Sequence, residues 1–255
     1  MTKKDELFEK KETTKEDGKK VTVAKKELPA LDNTIAPGTE QITSDDVQIG
    51  RYRLLQSLST EVESGNSKPG MIIESLSNNE YPVLEIIPLA MFKSRVLFDP
   101  ENRKGGPLCR SIDDKLERGS NSPDPASNNE CHKCRYSRGF PSACSLVYNY
   151  PCIRPNQVGV EPLPSLLSVM KSSTSLAQKI NAFVINKIPR PPFWMYVWEV
   201  SGKKRDFKKG SAFILDGKMK RETTDEEKKW AETVYNMGLA GKRIEPEWEE
   251  SDNNE

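Results

Sequence analysis

Residues 174–216 read TSLAQKINAFVINKIPRPPFWMYVWEVSGKKRDFKKGSAFILD, and the changes of pattern within this stretch decide the fold. Leu176, Ile180, Phe183, Val184 and Ile188 recur at helical spacing, so residues 174–188 are expected as a helix with one apolar face. Ser172, Ser173 and Thr174 supply N-cap chemistry ahead of it. Pro189, Pro191 and Pro192 end it, because proline removes a backbone donor and clashes with the preceding turn. Phe193 to Val200 is aromatic-rich and reads as a strand. The segment 201–210 reads as a charged hairpin loop and 211–216 as the strand that returns from it.

Working outward, residues 162–170 (PLPSLLSVM) and 144–152 (CSLVYNYPC) read as two earlier strands. Residues 83–98 (VLEIIPLAMFKSRVLF) form the longest apolar stretch, with Pro88 expected to break or bulge it. Past Pro88, Met91, Lys93, Arg95 and Leu97 alternate with Phe92, Ser94, Val96 and Phe98, the period of a strand. Further upstream, 51–59 (RYRLLQSLS) is expected as a short helix, 67–70 as a turn and 71–73 as a short strand. Downstream, Thr223-Thr224-Asp225-Glu226 opens a last helix, its acidic residues at the positive N-terminal end. The expectation is a mainly β protein with two helices. Five strands, with a helix between the third and fourth, follow the order of an OB-fold barrel, whose loops after strands 1 and 4 and whose strands 2 and 3 contact ligand. Residues 1–45 are a polar tail expected to be disordered. Residues 46–222 form the core, with an insertion at 105–145. Residues 223–240 are the C-terminal helix, and 241–255 an acidic disordered tail.

The insertion carries Cys109, Cys131, Cys134 and Cys144, spaced C-x21-C-x2-C-x9-C. Four thiolates fill the tetrahedral shell of a structural Zn²⁺, and the C-x2-C turn brings two sulfurs to one ion. Residues 110–130 are too polar to pack a core, so a metal would supply their ordering energy. A disulfide pair and a redox C-x2-C are the alternatives. Met1 is followed by TKKDELFEKK rather than an apolar run, so an oxidising compartment is not implied, and no βαβ pattern surrounds the motif. His132 is a minor alternative ligand, and Cys152 reads as a packed thiol.

The net charge of +1 hides a segregation. Residues 46–222 hold 26 basic and 18 acidic groups, a net of +8, while residues 223–255 hold 4 and 10, a net of −6. Basic residues surround aromatic ones in two places, as a single-strand binding surface requires. Lys203, Lys204, Arg205, Lys208 and Lys209 flank Phe207, and Lys133, Arg135 and Arg138 flank Tyr136. Lys93 and Arg95 share one face of their strand. Trp194, Tyr196 and Trp198 also share a face, either a stacking platform or core, and Tyr148 and Tyr150 carry the same ambiguity. A lysine-rich loop also serves solubility alone. There is one histidine, no Gly-rich phosphate loop, and only Asp113-Asp114 as an acidic pair, so no catalytic constellation emerges. No apolar run reaches the roughly 20 residues of a membrane span.

The stretches DDVQIGRYRLLQSLSTEV (45–62), PGMIIESLSN (69–78), PLCRSIDD (107–114), the C-x2-C and PFWMYVWEV (192–200) resemble a group of bacteriophage proteins that act as single-stranded-DNA-binding or replication accessory proteins. The resemblance implies an OB-like core, a zinc-ribbon insertion and a viral origin. The chain departs from the group before Cys144, where GFPSAC replaces a Gly/Lys-rich stretch. The expected function is non-enzymatic binding of single-stranded DNA in phage replication or recombination, in the host cytoplasm, with the acidic tail competing for the groove or recruiting replication proteins. The alternative is a zinc-ribbon protein that docks on a host or viral polymerase. A nuclease ranks last.

Overall fold

The structure is a computed structural model, and it describes residues 48–99, 106–111, 116, 118–138, 142–160, 163–208 and 210–237. The expected tails at 1–45 and 241–255, and Lys209, lie outside the described residues. In chain order the elements are β1 (Arg51–Leu54), α1 (Thr60–Glu63), β2 (Ile72–Glu74), β3 (Glu80–Tyr81), β4 (Val83–Pro88), β5 (Phe92–Phe98), β6 (Pro107–Arg110), β7 (Ser145–Ile153), β8 (Ser165–Met170), α2 (Thr174–Ile185), β9 (Tyr196–Phe207), β10 (Gly210–Glu222) and α3 (Asp225–Asn236). The protein is mainly β, with three helices. None of the described helices is long and apolar enough to cross a membrane.

The strands join into one open mixed sheet, in the order β10-β9-β4-β7-β8-β1-β2-β3, with β5 on β7 and β6 on β5. Only β1 and β8 run parallel, with Tyr52 opposite Leu167. Pro88 ends β4 rather than bulging it, and the chain turns through Leu89–Met91 into β5. The two halves of the 83–98 stretch share β7 as a neighbour, and the first half also pairs with β9. Val83 to Ile86 pair with β9, and Phe92 to Val96 pair with β7.

The core fills one face of this sheet. Tyr150, Leu167, Val169, Tyr196, Trp198 and Leu215 pack there against Leu176, Ala177 and Ile180 of α2. Phe183 meets Tyr196 and Trp198 edge-on, with centroids 5.7 and 5.3 Å apart. Edge-to-face rings contribute about 0.5–1.5 kcal/mol beyond area burial. Tyr150 donates its hydroxyl to Asn181 Oδ1 at 2.9 Å, and burial pushes its ionisation up. α3 begins in a capping box. Thr224 Oγ1 accepts from the Glu227 amide, and the Glu227 carboxylate accepts from the Thr224 amide.

Several expectations need correction. Residues 51–54 are a strand, because Tyr52 and Leu54 alternate with the arginines and the backbone finds partners in both β2 and β8. The helical reading of 51–59 reduces to the single turn of α1, one segment later. The strand expected from Phe193 begins at Tyr196, after one 3-10 turn. The largest correction is to the basic loop at 201–210. β9 and β10 pair continuously from Ser201–Asp216 out to Phe207–Gly210, so residues 201–207 are strand. Charge alone does not make a loop when every residue from Ser201 to Phe207 finds a cross-strand partner. Nothing in the sequence pattern marks β6, which among the described residues pairs with β5 alone.

Candidate nucleic-acid interface and cysteine cluster

The sheet brings the distant cysteines together. Leu97 of β5 lies opposite Cys109 of β6, and its neighbour Val96 lies opposite Ser145, the residue after Cys144. Cys109 and Cys144 thus flank one strand on its two sides. The turn Glu130–Cys134 adds the other pair, with the amides of Lys133 and Cys134 both donating to Glu130 O at 3.0 Å. Cys109, Cys131, Cys134 and Cys144 line a single pocket with Arg95, Leu97 and Tyr136. All five cysteines of the chain are thiols. Burial pushes Cys144 up to about 11, Arg95 pulls it down, and the three other pocket thiols push it up again.

The fit to a metal is one of chemistry and convergence rather than finished geometry. Four thiols on one pocket are the donor set of a closed zinc site. As they stand, no three His, Cys, Asp or Glu side chains among the described residues form a group able to hold an ion. The surroundings are nonetheless shaped around sulfur. A Cβ at Gly119 would lie 2.8 Å from Cys109 Sγ. Ser122 Oγ sits 3.4 Å from Cys134 Sγ. The buried Asp124 carboxylate accepts the Arg135 amide at 2.8 Å, and the Cys144 amide donates to Tyr136 O at 2.8 Å. Sequence reasoning missed Ser122 and Asp124, although Ser122-Pro123-Asp124-Pro125 is turn chemistry of the kind that builds such a loop. His132 points away, its Nε2 lying 3.3 Å from Glu130 on an exposed flank. Cys152 is apart, fully buried in β7, its thiol donating to Ser165 O at 3.3 Å.

The basic residues of this module each hold a partner within it. Lys133 pairs with Glu130 at 2.8 Å, and its hydrogen bond holds that carboxyl below its usual range. Arg135 donates to the Tyr136 hydroxyl at 2.8 Å and lies 4.8 Å from its ring centre. Arg138 donates to His132 O at 2.9 Å. Lys93 is exposed, 5.6 Å from the Tyr148 ring, and Arg95 reaches Cys144 O at 3.4 Å.

The β9–β10 hairpin is different. β4 begins at Val83, opposite Ser201, so β9 runs on from Gly202 to Phe207 past the end of its other neighbour. Alternation puts Lys203, Arg205 and Phe207 on one face of the ribbon and Lys204 and Asp206 on the other. Phe207 is 41% exposed, with the Arg205 guanidinium 5.6 Å from its ring centre. Lys203 approaches Asp216 only to 3.9 Å, and among the described residues nothing forms an ion pair with Lys204, Arg205 or Lys208. The two candidate surfaces lie at opposite ends of the β4–β5 run, the hairpin beyond Val83 and the cysteines beyond Val96.

The aromatic platform dissolves. Tyr196 is 3% exposed and Trp198 2%, and Val197 on the opposite face is also buried, because β9 is covered on both faces there. Trp194, in the 3-10 turn, is half-buried with its ring 4.9 Å from that of Tyr235. Of the three rings only Trp194 keeps accessible surface.

Comparison with known proteins adds a family. The sequence profile described as "Pam3 phage gp34-like protein" matches residues 19–243, nearly the whole chain. The chain belongs to the Pam3 phage gp34-like family. That membership makes it a phage-type protein, in agreement with the resemblance read from its sequence, and it covers the sheet, the cysteine module and α3 together. No curated protein and no solved structure matches it.

Proposed function

We propose that this phage-family protein binds single-stranded DNA, without enzymatic activity, during phage replication or recombination in the host cytoplasm. The observation that carries the reading is the projecting β9–β10 ribbon, which presents Lys203, Arg205 and Phe207 on one face with little neutralising acid beside them. Phosphates pair with such cations, and bases stack on such a ring for about 1–3 kcal/mol each. We read the core as OB-type. In support, the β4–β5 run pairs with β7 and β9, β7 with β8, and β9 with β10, while α2 lies between β8 and β9. In the same reading Cys109, Cys131, Cys134 and Cys144 hold one structural Zn²⁺, which would supply folding energy to the polar insertion and no reaction step. In that module Lys133, Arg135 and Arg138 already bond groups of the module itself, which favours a scaffolding or protein-docking part for it, the role that a polymerase-docking protein would give the whole chain.

Titration of labelled poly-dT and of a duplex of equal length decides between the two. Expected is preferential binding of the single strand, with log affinity falling against log salt by about 0.7 per phosphate contacted. Equal binding of duplex, or no binding at low salt, would overturn the reading and leave the docking role.

A further inference from the structure

β10 ends the sheet, so among the described residues one of its sides has no strand partner along thirteen residues. Such an edge is a template for pairing with another chain, and natural proteins cover it. The alternate residues Phe213, Leu215 and Gly217 direct backbone groups to that open side, and each is met by a side chain from elsewhere. Gln56, between β1 and α1, accepts from the Phe213 amide and donates to the Phe213 carbonyl, both at 3.0 Å. One side-chain amide thus does for Phe213 what a neighbouring strand would do. Ser173 is the N-cap residue of α2 but makes no capping hydrogen bond; its hydroxyl instead accepts the Leu215 amide at 2.9 Å. Lys179 reaches Gly217 O at 3.4 Å and Asp216 at 2.6 Å.

Two glycines allow this approach. Gly70 has φ +89, and a Cβ there would stand 2.6 Å from the Phe213 ring. A Cβ on Gly202 would stand 2.2 Å from Gly70 O. The covered segment Ser211-Ala212-Phe213-Ile214-Leu215 is uncharged and strand-forming, the composition that pairs edge to edge when bare. The next three residues, Asp216-Gly217-Lys218, are charge-complementary to themselves in antiparallel pairing about Gly217. We propose that Gln56, Ser173 and Lys179 act together as a strand surrogate, closing the β10 edge and keeping it from pairing with the same edge of a second copy of the chain. The device is independent of any ligand of the hairpin.

Amide hydrogen exchange on the full chain, followed residue by residue, tests it. In the wild type the Phe213 and Leu215 amides are protected although, among the described residues, no strand lies on the side they face. Gln56→Ala speeds exchange at Phe213 by at least about tenfold, the loss expected when a part-buried pair of hydrogen bonds is removed, and leaves Leu215 slow. Ser173→Ala does the reverse. The double variant sediments as a concentration-dependent dimer or larger species under conditions where the wild type does not change. Rapid wild-type exchange at Phe213 overturns the surrogate. So does unchanged exchange in Gln56→Ala. A double variant with a fast-exchanging edge and wild-type sedimentation overturns the self-pairing half. Should Gln56→Ala not fold, Gln56→Met answers the same question, since it keeps the length of the side chain but has no carboxamide to accept the Phe213 amide or to donate to its carbonyl.

Discussion

Cys109 and Cys152 stand in surroundings that give them opposite expectations. Cys109 lines the pocket it shares with three other thiols, whereas Cys152 is sealed in β7 against Ser165 O. Purified protein is expected to carry one Zn²⁺ per chain by elemental analysis. Cys109→Ser should lose it, and Cys152→Ser should keep it while losing about 1–3 kcal/mol of stability, the range for disturbing a buried, satisfied group. A metal-free wild type that stays folded under reducing conditions would end the zinc reading. The four pocket thiols were legible because a short spacing and a polar intervening segment leave few other uses for them. Trp198 was not. Period-two alternation separates the two faces of a strand but does not say which is covered, and on β9 both are. Gln56 was invisible for a further reason: its partner Phe213 is 157 residues away, and nothing local marks a glutamine that will copy a strand.

Element order was legible from Ser145 to Asp216, where strand and helical periods alternate, but not in the cysteine insertion, where β6 left no sign, nor at β1, whose residues read as helix. Element ends were not, because they depend on partners. β9 extends through a lysine-rich run only because β10 pairs with it there. This lengthening sharpens the expectations for the hairpin. Replacing Lys203, Lys204 and Arg205 together by Ala should weaken single-strand binding of every sequence and flatten the salt dependence by up to about 0.7 per lost phosphate contact. Phe207→Ala should weaken binding at all salt concentrations and keep the slope, since stacking releases no counterions. A triple variant with wild-type affinity and slope would place the binding surface elsewhere. At the other end of β10, Arg221 grips Glu227 with two hydrogen bonds of 2.7 and 2.8 Å. Burial pushes the Glu227 carboxyl up, but Arg221 and the Thr224 amide outweigh it and hold the pKa below the ordinary 4.5. A lowered carboxylate pKa stabilises the fold in full above the unfolded value and loses that contribution as pH falls through the folded one. α3 should therefore loosen below about pH 4.5, seen as a change in emission of the buried Trp230, and Glu227→Gln should remove that acid step. Retention of the step in Glu227→Gln would assign it to another carboxylate.

At the scale of the whole molecule, charge is distributed in blocks that the neutral total conceals. The stretch 46–222 carries +8, and the last twelve residues, 244–255, carry six acidic groups and no basic one. If the hairpin attracts phosphate by its exposed cations, the same field attracts the chain's own carboxylates, and the two compete for one surface. Removing residues 244–255 should then tighten single-strand binding at low ionic strength. The gain should shrink as salt rises, because at 0.1 M charges more than about 10 Å apart are largely screened. Competition also predicts where the gain resides. A variant with both the tail removed and Lys203, Lys204 and Arg205 replaced should gain less than the tail deletion alone, since the charges the tail competes for are gone. If the deletion leaves low-salt affinity unchanged or lowers it, the acidic block does not compete for the hairpin. An equal gain with and without the hairpin cations would show instead that the tail acts through net charge alone.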